Sequence, residues 1–128
     1  MNIHDVSTLL DAMPVAHVTP DMPEGDAIDC MRVLGTFQGC LMGLVHFHGQ
    51  TGWERHAGGD EMLFILEGET ELTQLTPDGE IQKTARKGDV VQIPAGVWHS
   101  QRTLSPVKLM FLTVSEGSEG RATRPTGP

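Results

Sequence analysis

The sequence predicts an all-β domain, built as a sandwich or barrel of short antiparallel strands. Fifteen glycines and eight prolines interrupt the 128 residues every few positions, which favours short strands over long helices. Turn-forming segments separate evenly spaced runs rich in Val, Ile, Leu and Thr. This arrangement is typical of a sandwich or barrel, rather than of a parallel sheet with crossover helices.

One short helix is expected near the start of the chain, and strands follow it. Asp5 or Ser7 can cap the helix, Pro14 ends it, and the residues between form one apolar stripe of Val6, Leu9, Leu10 and Met13. Pro77-Asp78-Gly79 indicates a hairpin loop. The predicted strands are Asp29–Phe37, Leu41–Phe47, Trp53–His56, Glu61–Leu66, Thr70–Thr76, Ile81–Arg86, Val90–Ile93, His99–Thr103 and Val107–Val114.

The length fits a single domain with three parts. Residues 1–28 are expected to form the helix and an extended arm, residues 29–114 the barrel, and residues 115–128 a mobile C-terminal tail. The tail contains one apolar side chain, Ala122, which favours mobility outside the core. A docked tail is the alternative.

Composition argues against several classes of partner. The formal net charge is −8 and the nine basic residues are scattered, so neither nucleic acid nor an anionic membrane surface is expected as a partner. The N-terminus lacks the basic and apolar regions of a secretion signal, and apolar runs such as Met62–Leu66 are far too short to span a membrane. With only Cys30 and Cys40, no disulfide scaffold is expected, which favours a cytoplasmic protein with free thiols.

Two segments carry side chains that bind metals. Alternate side chains of a strand share a face, so Glu54 and His56 project to the same side. The turn Ala57-Gly58-Gly59-Asp60 brings Glu61 back on the next strand, where it can face the same space. If His99 also points inward, one cavity holds two imidazoles and two carboxylates. Such a set suits a divalent metal ion such as Fe, Mn, Ni or Zn.

These segments resemble the two motifs of the cupins, a family of small jelly-roll β-barrels. The first cupin motif, Gly-x5-His-x-His-x(3–4)-Glu-x6-Gly, is matched in most positions by Glu54-x-His56-x4-Glu61-x6-Gly68. The second, Gly-x5-Pro-x-Gly-x2-His-x3-Asn, is matched up to its histidine by Gly88-x5-Pro94-x-Gly96-x2-His99. The resemblance covers residues 41 to 114 and implies a small single-domain cupin of the conserved-barrel type.

The sequence departs from the cupin pattern at three positions. Glu54 stands where the first histidine is usual, and Thr103 replaces the final asparagine. Four residues rather than five separate Gly49 from Glu54, so the opening glycine is out of register.

The resemblance implies that His56, Glu61 and His99 match three of the four usual metal ligands. Glu54 at the fourth adds a negative charge, which favours harder ions and strengthens competition by protons. His56, Glu61 and His99 also form the set of two histidines and one carboxylate that is associated with non-haem iron. Beside such a set, Glu54 would be a fourth ligand or a catalytic base. The alternative is a cupin that has lost its metal.

Other side chains are assigned to a pocket. His46 and His48 share a strand face and are expected to contact substrate near the barrel mouth, with metal ligation as the alternative. Phe64 and Phe111 are expected to line the core or the substrate pocket.

Three further residues are assigned outside the metal site. Asp60 is expected to accept hydrogen bonds from backbone N–H groups in its turn. Trp53 and Trp98 each precede an inward ligand, so they are expected to face outward, in packing or at a subunit interface. Cupins are commonly dimers, so the resemblance implies a homodimer.

Two functions are considered from these residues. The first is a metal-dependent enzyme that processes a small organic molecule, as an oxygenase, isomerase or decarboxylase. The alternative is a non-catalytic barrel that binds a sugar or small metabolite, with or without metal. A third hypothesis is a mainly structural dimer unit, which would bind neither.

Overall fold

The computed structural model describes residues 1–126 and consists of two facing β-sheets with two short helices. Sheet 1 has the strand order β1-β3-β10-β5-β8, with β2 pairing to β3, and sheet 2 has the order β11-β4-β9-β6-β7. The elements in chain order are α1 (Val6–Asp11), β1 (Ala16–Val18), α2 (Glu24–Asp29), β2 (Met31–Phe37), β3 (Cys40–Gly49), β4 (Trp53–His56), β5 (Glu61–Glu67), β6 (Glu69–Thr76), β7 (Gly79–Arg86), β8 (Val90–Ile93), β9 (His99–Thr103), β10 (Val107–Thr113) and β11 (Ser118–Arg121).

The all-β jelly-roll prediction is confirmed. Every pairing between neighbouring strands is antiparallel except that of β1 with β3. Gly68 shows why the first motif ends in glycine, because it turns the chain between β5 and β6 with a φ of 87°. A Cβ atom there would collide with the carbonyl oxygen of Pro106.

The core lies between the two sheets, where alternate residues of the strands point inward. On β5, Leu63 and Ile65 are 3% and 0% exposed, and Glu61 continues the same alternation toward the end of the strand. Gly43 on β3 leaves room for the ring of Phe111, since a Cβ there would lie 2.5 Å from that ring. The buried members of this cluster are Phe47, Leu63, Ile65, Leu72, Ala85, Ile93, Val107, Leu109 and Phe111.

The N-terminal segment is more ordered than the predicted arm. Asp5 caps α1 by accepting a hydrogen bond from the backbone N–H of Thr8 at 3.2 Å, as its position predicts. Ala16–Val18 then pairs in parallel with β3, which makes the arm part of sheet 1. This strand and α2 are absent from the sequence prediction, because each is short and lacks a clear apolar period.

The C-terminal segment pairs with sheet 2 at residues 118–121. Ser118–Arg121 forms β11, which pairs with β4 in the register Ser118 to His56 and Arg121 to Trp53. This pairing favours the alternative of a docked tail for this segment. Residues 127 and 128 lie outside the described residues.

The two tryptophans lie on the outer face of sheet 2 and are buried there within the chain. Trp53 and Trp98 are 9% and 3% exposed and form a second cluster with Leu75. The guanidinium groups of Arg55 and Arg121 lie 4.7 and 5.1 Å from the centre of the Trp98 ring. Alternation thus predicted the correct face, and the C-terminal strand helps to cover it.

No helix within residues 1–126 is long and apolar enough to cross a membrane.

Candidate metal centre

Three strands bring the four predicted ligands together at one end of the barrel. Glu54 and His56 lie on β4, Glu61 is the first residue of β5, and His99 is the first residue of β9. Glu54 pairs with His99 in the β4–β9 register. These residues form the four-residue cluster, in which one atom from each side chain lies within 4.8 Å of the others.

Glu61 connects the two imidazoles. One of its carboxylate oxygens lies 3.3 Å from Nε2 of His56, and the other lies 3.2 Å from Nε2 of His99. The side chain of Glu61 is 10% exposed. Glu54 approaches Nε2 of His56 at 3.5 Å, and its side chain is 48% exposed. The cluster is therefore buried on the Glu61 side and open to solvent at Glu54.

Contacts within the cluster favour the charged forms of its buried side chains. Burial disfavours the charged form of His56, but the carboxylates of Glu54 and Glu61 outweigh it and raise its pKa to about 9. Burial likewise opposes ionisation of Glu61, while contact with His56 and His99 lowers its pKa to about 2. The pKa of His99 is also raised, because Glu61 outweighs the effect of burial. The ionised carboxylate of Glu61 thus favours the protonated form of both imidazoles.

Neighbouring groups hold each buried ligand in place. The Thr113 hydroxyl donates a hydrogen bond to the Glu61 carboxylate. Nδ1 of His56 lies 2.8 Å from the Ser118 hydroxyl oxygen, and Nδ1 of His99 lies 3.1 Å from the Val97 carbonyl oxygen. Sequence reasoning missed Thr113 and Ser118. For Thr113 a signal existed, because it follows Leu109 and Phe111 in the inward alternation of β10.

The cluster fits a divalent metal ion. Nε2 of His56 is buried and makes no well-formed hydrogen bond within residues 1–126, although carboxylate oxygens of Glu61 and Glu54 lie 3.3 and 3.5 Å away. A metal ion held by both Nε2 atoms and by carboxylate oxygen would satisfy it. Imidazole and carboxylate donors together suit Zn, Fe, Mn or Ni.

The structure does not bring His46 and His48 to the four-residue cluster. Nδ1 of His46 donates to the carbonyl oxygen of Met13 at 2.7 Å. Nδ1 of His48 lies 2.7 Å from the hydroxyl of Thr103, which is at the opposite end of β9 from His99. These histidines lie toward the other end of the barrel, so the structure does not place them among the candidate ligands, and their contact with substrate stays a prediction.

The two phenylalanines assigned to the pocket have different positions. Phe64 lies between two inward residues of β5, so strand alternation turns it to the outer face of sheet 1. The structure therefore places Phe64 on the face of β5 opposite to Glu61. Phe111 is 6% exposed, faces the barrel interior and lies two residues before Thr113. Its contact with substrate stays a prediction.

Asp60 has a backbone partner, although not in its own turn. Its carboxylate accepts hydrogen bonds from the N–H of Ala95 and from the side chain of Gln92, both at 2.9 Å. Both hydrogen bonds lower the pKa of Asp60, and the one from Ala95 has the larger effect. Asp60 therefore fixes the loop after β8 against the loop before β5.

A comparison with protein families decides where the chain belongs. Residues 43–115, more than half of the chain, match the family model described as the cupin domain. The chain is a member of the cupin family. The matched region includes β4, β5 and β9, and with them the whole four-residue cluster.

Solved structures share the cupin fold with this chain. A protein from Neisseria meningitidis is 22% identical with a TM-score of 0.67, and the alignment covers 89% of this cupin and 100% of that chain. Hydroquinone 1,2-dioxygenase from Sphingomonas sp. TTNP3, with 4-hydroxybenzoate bound, is 18% identical with a TM-score of 0.56, covering 73% and 68%. Hydroquinone 1,2-dioxygenase PnpCD, in complex with Cd²⁺ and 4-hydroxybenzonitrile, is 17% identical with a TM-score of 0.59, covering 84% and 86%. No curated protein sequence matches this cupin significantly.

Proposed function

We propose that this cupin is a metal-dependent enzyme that processes a small organic molecule. The proposal rests on the convergence of four donor side chains, one atom of each within 4.8 Å of the others, in a cluster whose three buried members include two imidazoles and a carboxylate. The dioxygenases with the same fold are crystallised with small aromatic molecules, and one of them with Cd²⁺.

The proposed roles follow from burial. His56, Glu61 and His99 are 7%, 8% and 6% exposed and would hold the metal ion. When bound, the ion would supply Lewis acidity and, if it is iron or manganese, redox activity. Glu54 lies at the open edge, so its carboxylate can reach both a bound molecule and solvent. We assign it as the base that accepts a proton from the substrate, with ligation as its second role.

The wall next to the site is apolar. Phe111 and Leu63 are paired across β10 and β5, and both are buried. They lie on the inward face that also carries Glu61 and Thr113, each two residues along its strand from one of them. A small, partly apolar substrate would therefore contact Phe111 and present its acidic group to Glu54.

Turnover distinguishes the enzyme from a binding module. Tag-free protein is loaded without oxygen with Fe²⁺, Mn²⁺, Ni²⁺ or Zn²⁺ and mixed with a panel of phenols and small carboxylic acids. Oxygen uptake and product mass are then measured in air. Product formation that falls at least about 100-fold in Glu54→Gln supports the assigned base. A ligand-induced rise in Tm without turnover by any metal form would instead support the non-catalytic alternative.

We also propose a cytoplasmic homodimer. Cys30 and Cys40 are free thiols, which fits a reducing compartment. The edge strand β2 exposes Met31, Val33 and Phe37 to 36%, 50% and 57%, and large exposed apolar side chains on one strand favour contact with a second copy. Sedimentation equilibrium tests the dimer, and a monomer at micromolar concentration contradicts it.

A further inference from the structure

The C-terminal strand β11 contributes a side chain to the four-residue cluster from a distant part of the chain. Ser118 pairs with His56 in the β11–β4 register, and its hydroxyl oxygen lies 2.8 Å from Nδ1 of that imidazole. Ser118 itself is exposed, whereas His56 is buried. A surface serine is thus in contact with a proposed metal ligand.

The hydrogen bonds of Ser118 define which nitrogen of His56 keeps its proton when the imidazole is neutral and binds a metal ion. The hydroxyl of Ser118 donates its single hydrogen to the carbonyl oxygen of Val114 at 3.0 Å. Its oxygen is therefore left to accept from His56, and Nδ1 must be the donor. Nε2, which faces Glu61, is then the nitrogen left to bind a metal ion.

The orientation of His99 depends on a different part of the chain from that of His56. Its Nδ1 donates to the carbonyl oxygen of Val97, two residues before it, so its orientation is set within its own loop. The orientation of His56 depends on a residue 62 positions away. Release of β11 would therefore free one imidazole and leave the other oriented.

The contacts that hold β11 are mostly at the surface. Arg55 and Glu119 form an ion pair at 3.0 Å with side chains that are 30% and 45% exposed. Arg121 of β11 lies over the ring of Trp98. Just before β11, the backbone of Glu116 lies close to the turn after β4, since a Cβ on Gly58 would come 2.7 Å from the Glu116 carbonyl oxygen. Exposed ion pairs and short edge strands contribute little stability, so β11 is expected to open more easily than the core strands.

We propose that Ser118 is a positioning residue, and that docking of β11 sets the metal affinity of this cupin through His56. The inference rests on the proposed metal centre. Partners that orient a metal-bound histidine typically change metal affinity by about 10- to 100-fold when removed.

The test compares full-length wild type with Ser118→Ala, Ser118→Thr and the control Ser115→Ala. Ser115 is an exposed serine of the same segment, and its side chain makes no hydrogen bond within residues 1–126. Zn²⁺ affinity is measured by competition with a chelating dye. We expect Ser118→Ala to bind Zn²⁺ about 10- to 100-fold more weakly, and both Ser118→Thr and Ser115→Ala to match wild type.

A spectroscopic readout separates positioning from general destabilisation. In Co²⁺-loaded protein, the Nδ1 protons of His56 and His99 give separate paramagnetically shifted, exchangeable NMR signals. In Ser118→Ala the His56 proton should exchange faster with water, while the His99 proton is unchanged. If wild type binds Zn²⁺, and Ser118→Ala shows the same Zn²⁺ affinity and the same proton exchange as wild type, only this inference is overturned. Absence of Zn²⁺ binding by wild type overturns the metal centre and this inference together.

Discussion

Thr113 donates a hydrogen bond to Glu61, although 52 residues separate them in the chain. The bond joins the last residue of β10 to the first residue of β5 inside the barrel. It fixes the carboxylate that contacts both His56 and His99. Thr113 thus holds the residue on which the geometry of the cluster depends.

Removal of the Thr113 hydroxyl should weaken metal binding. In Thr113→Val the shape of the side chain is kept, but Glu61 loses its donor and is free to rotate. We expect Zn²⁺ affinity to fall about 10- to 100-fold in dye competition. Thr113→Ser retains the hydroxyl and should bind like wild type. Equal affinities for Thr113→Val and wild type would contradict a positioning role.

Loss of Glu54 should affect the metal less than loss of a buried ligand. The side chain of Glu54 is 48% exposed, so water can take its place in Glu54→Ala. We expect metal affinity to fall by no more than about tenfold, while His99→Ala abolishes binding. Calorimetric titration with Zn²⁺ measures both. If Glu54→Ala loses metal as completely as His99→Ala does, the site requires four protein ligands.

Metal affinity should rise with pH. The pKa of His56 is raised from 6.5 to about 9, so a proton competes with the metal for its Nε2 over that range. Affinity should increase about tenfold per pH unit for each proton displaced, and level off as the pH passes 9. Zn²⁺ competition from about pH 6 to about pH 8 tests this. Affinity independent of pH would mean that the imidazoles are already neutral.

The stability of the metal-free protein should have the opposite dependence at high pH. The folded pKa of His56 lies above its ordinary value, so its ion pair stabilises the fold below pH 6.5 and is lost as the pH rises through about 9. The pKa of Glu61 is lowered from 4.5 to about 2, so its contribution is present above pH 4.5 and is lost toward pH 2. Urea unfolding should show greatest stability between these limits. A fall in stability between pH 4.5 and 6.5 would contradict these assignments.

The outer cluster of sheet 2 should contribute strongly to stability. Trp98 is 3% exposed, so Trp98→Ala is expected to lower the free energy of unfolding by about 3–5 kcal/mol. Arg121→Gln removes only a cation–π contact, worth about 0.5–1 kcal/mol. Urea unfolding of the metal-free proteins separates the two. A loss of less than about 1 kcal/mol in Trp98→Ala would show that the cluster is not well packed.

Much of the fold could be predicted because its signals are local. The bounds of β4, β8 and β9 agree with the predicted strands, since turn residues flank each run. β11 was missed because Ser118–Arg121 contains no apolar residue, and its pairing with β4 depends on contacts outside the segment. Sequence pattern reports such tertiary effects poorly.

The residues of the candidate site were likewise predicted where the sequence signal is local and missed where it depends on a tertiary contact. The candidate ligands Glu54, His56, Glu61 and His99 were identified through strand alternation and motif spacing. The same alternation, applied from Glu61, turns Phe64 outward, and the pocket assignment did not apply it. Ser118 could not be found in this way, because its role comes from a single contact across 62 residues.

The metal content of tag-free protein tests whether the four-residue cluster holds a metal ion. Wild type, His99→Ala and the control His17→Ala, which replaces an exposed histidine outside the cluster, are incubated with Zn²⁺, freed of excess ion by gel filtration and analysed for zinc. The account predicts about one ion per chain for wild type and His17→Ala, and less than about a tenth of an ion for His99→Ala. Metal-free wild type, or equal zinc in His99→Ala and His17→Ala, would contradict it.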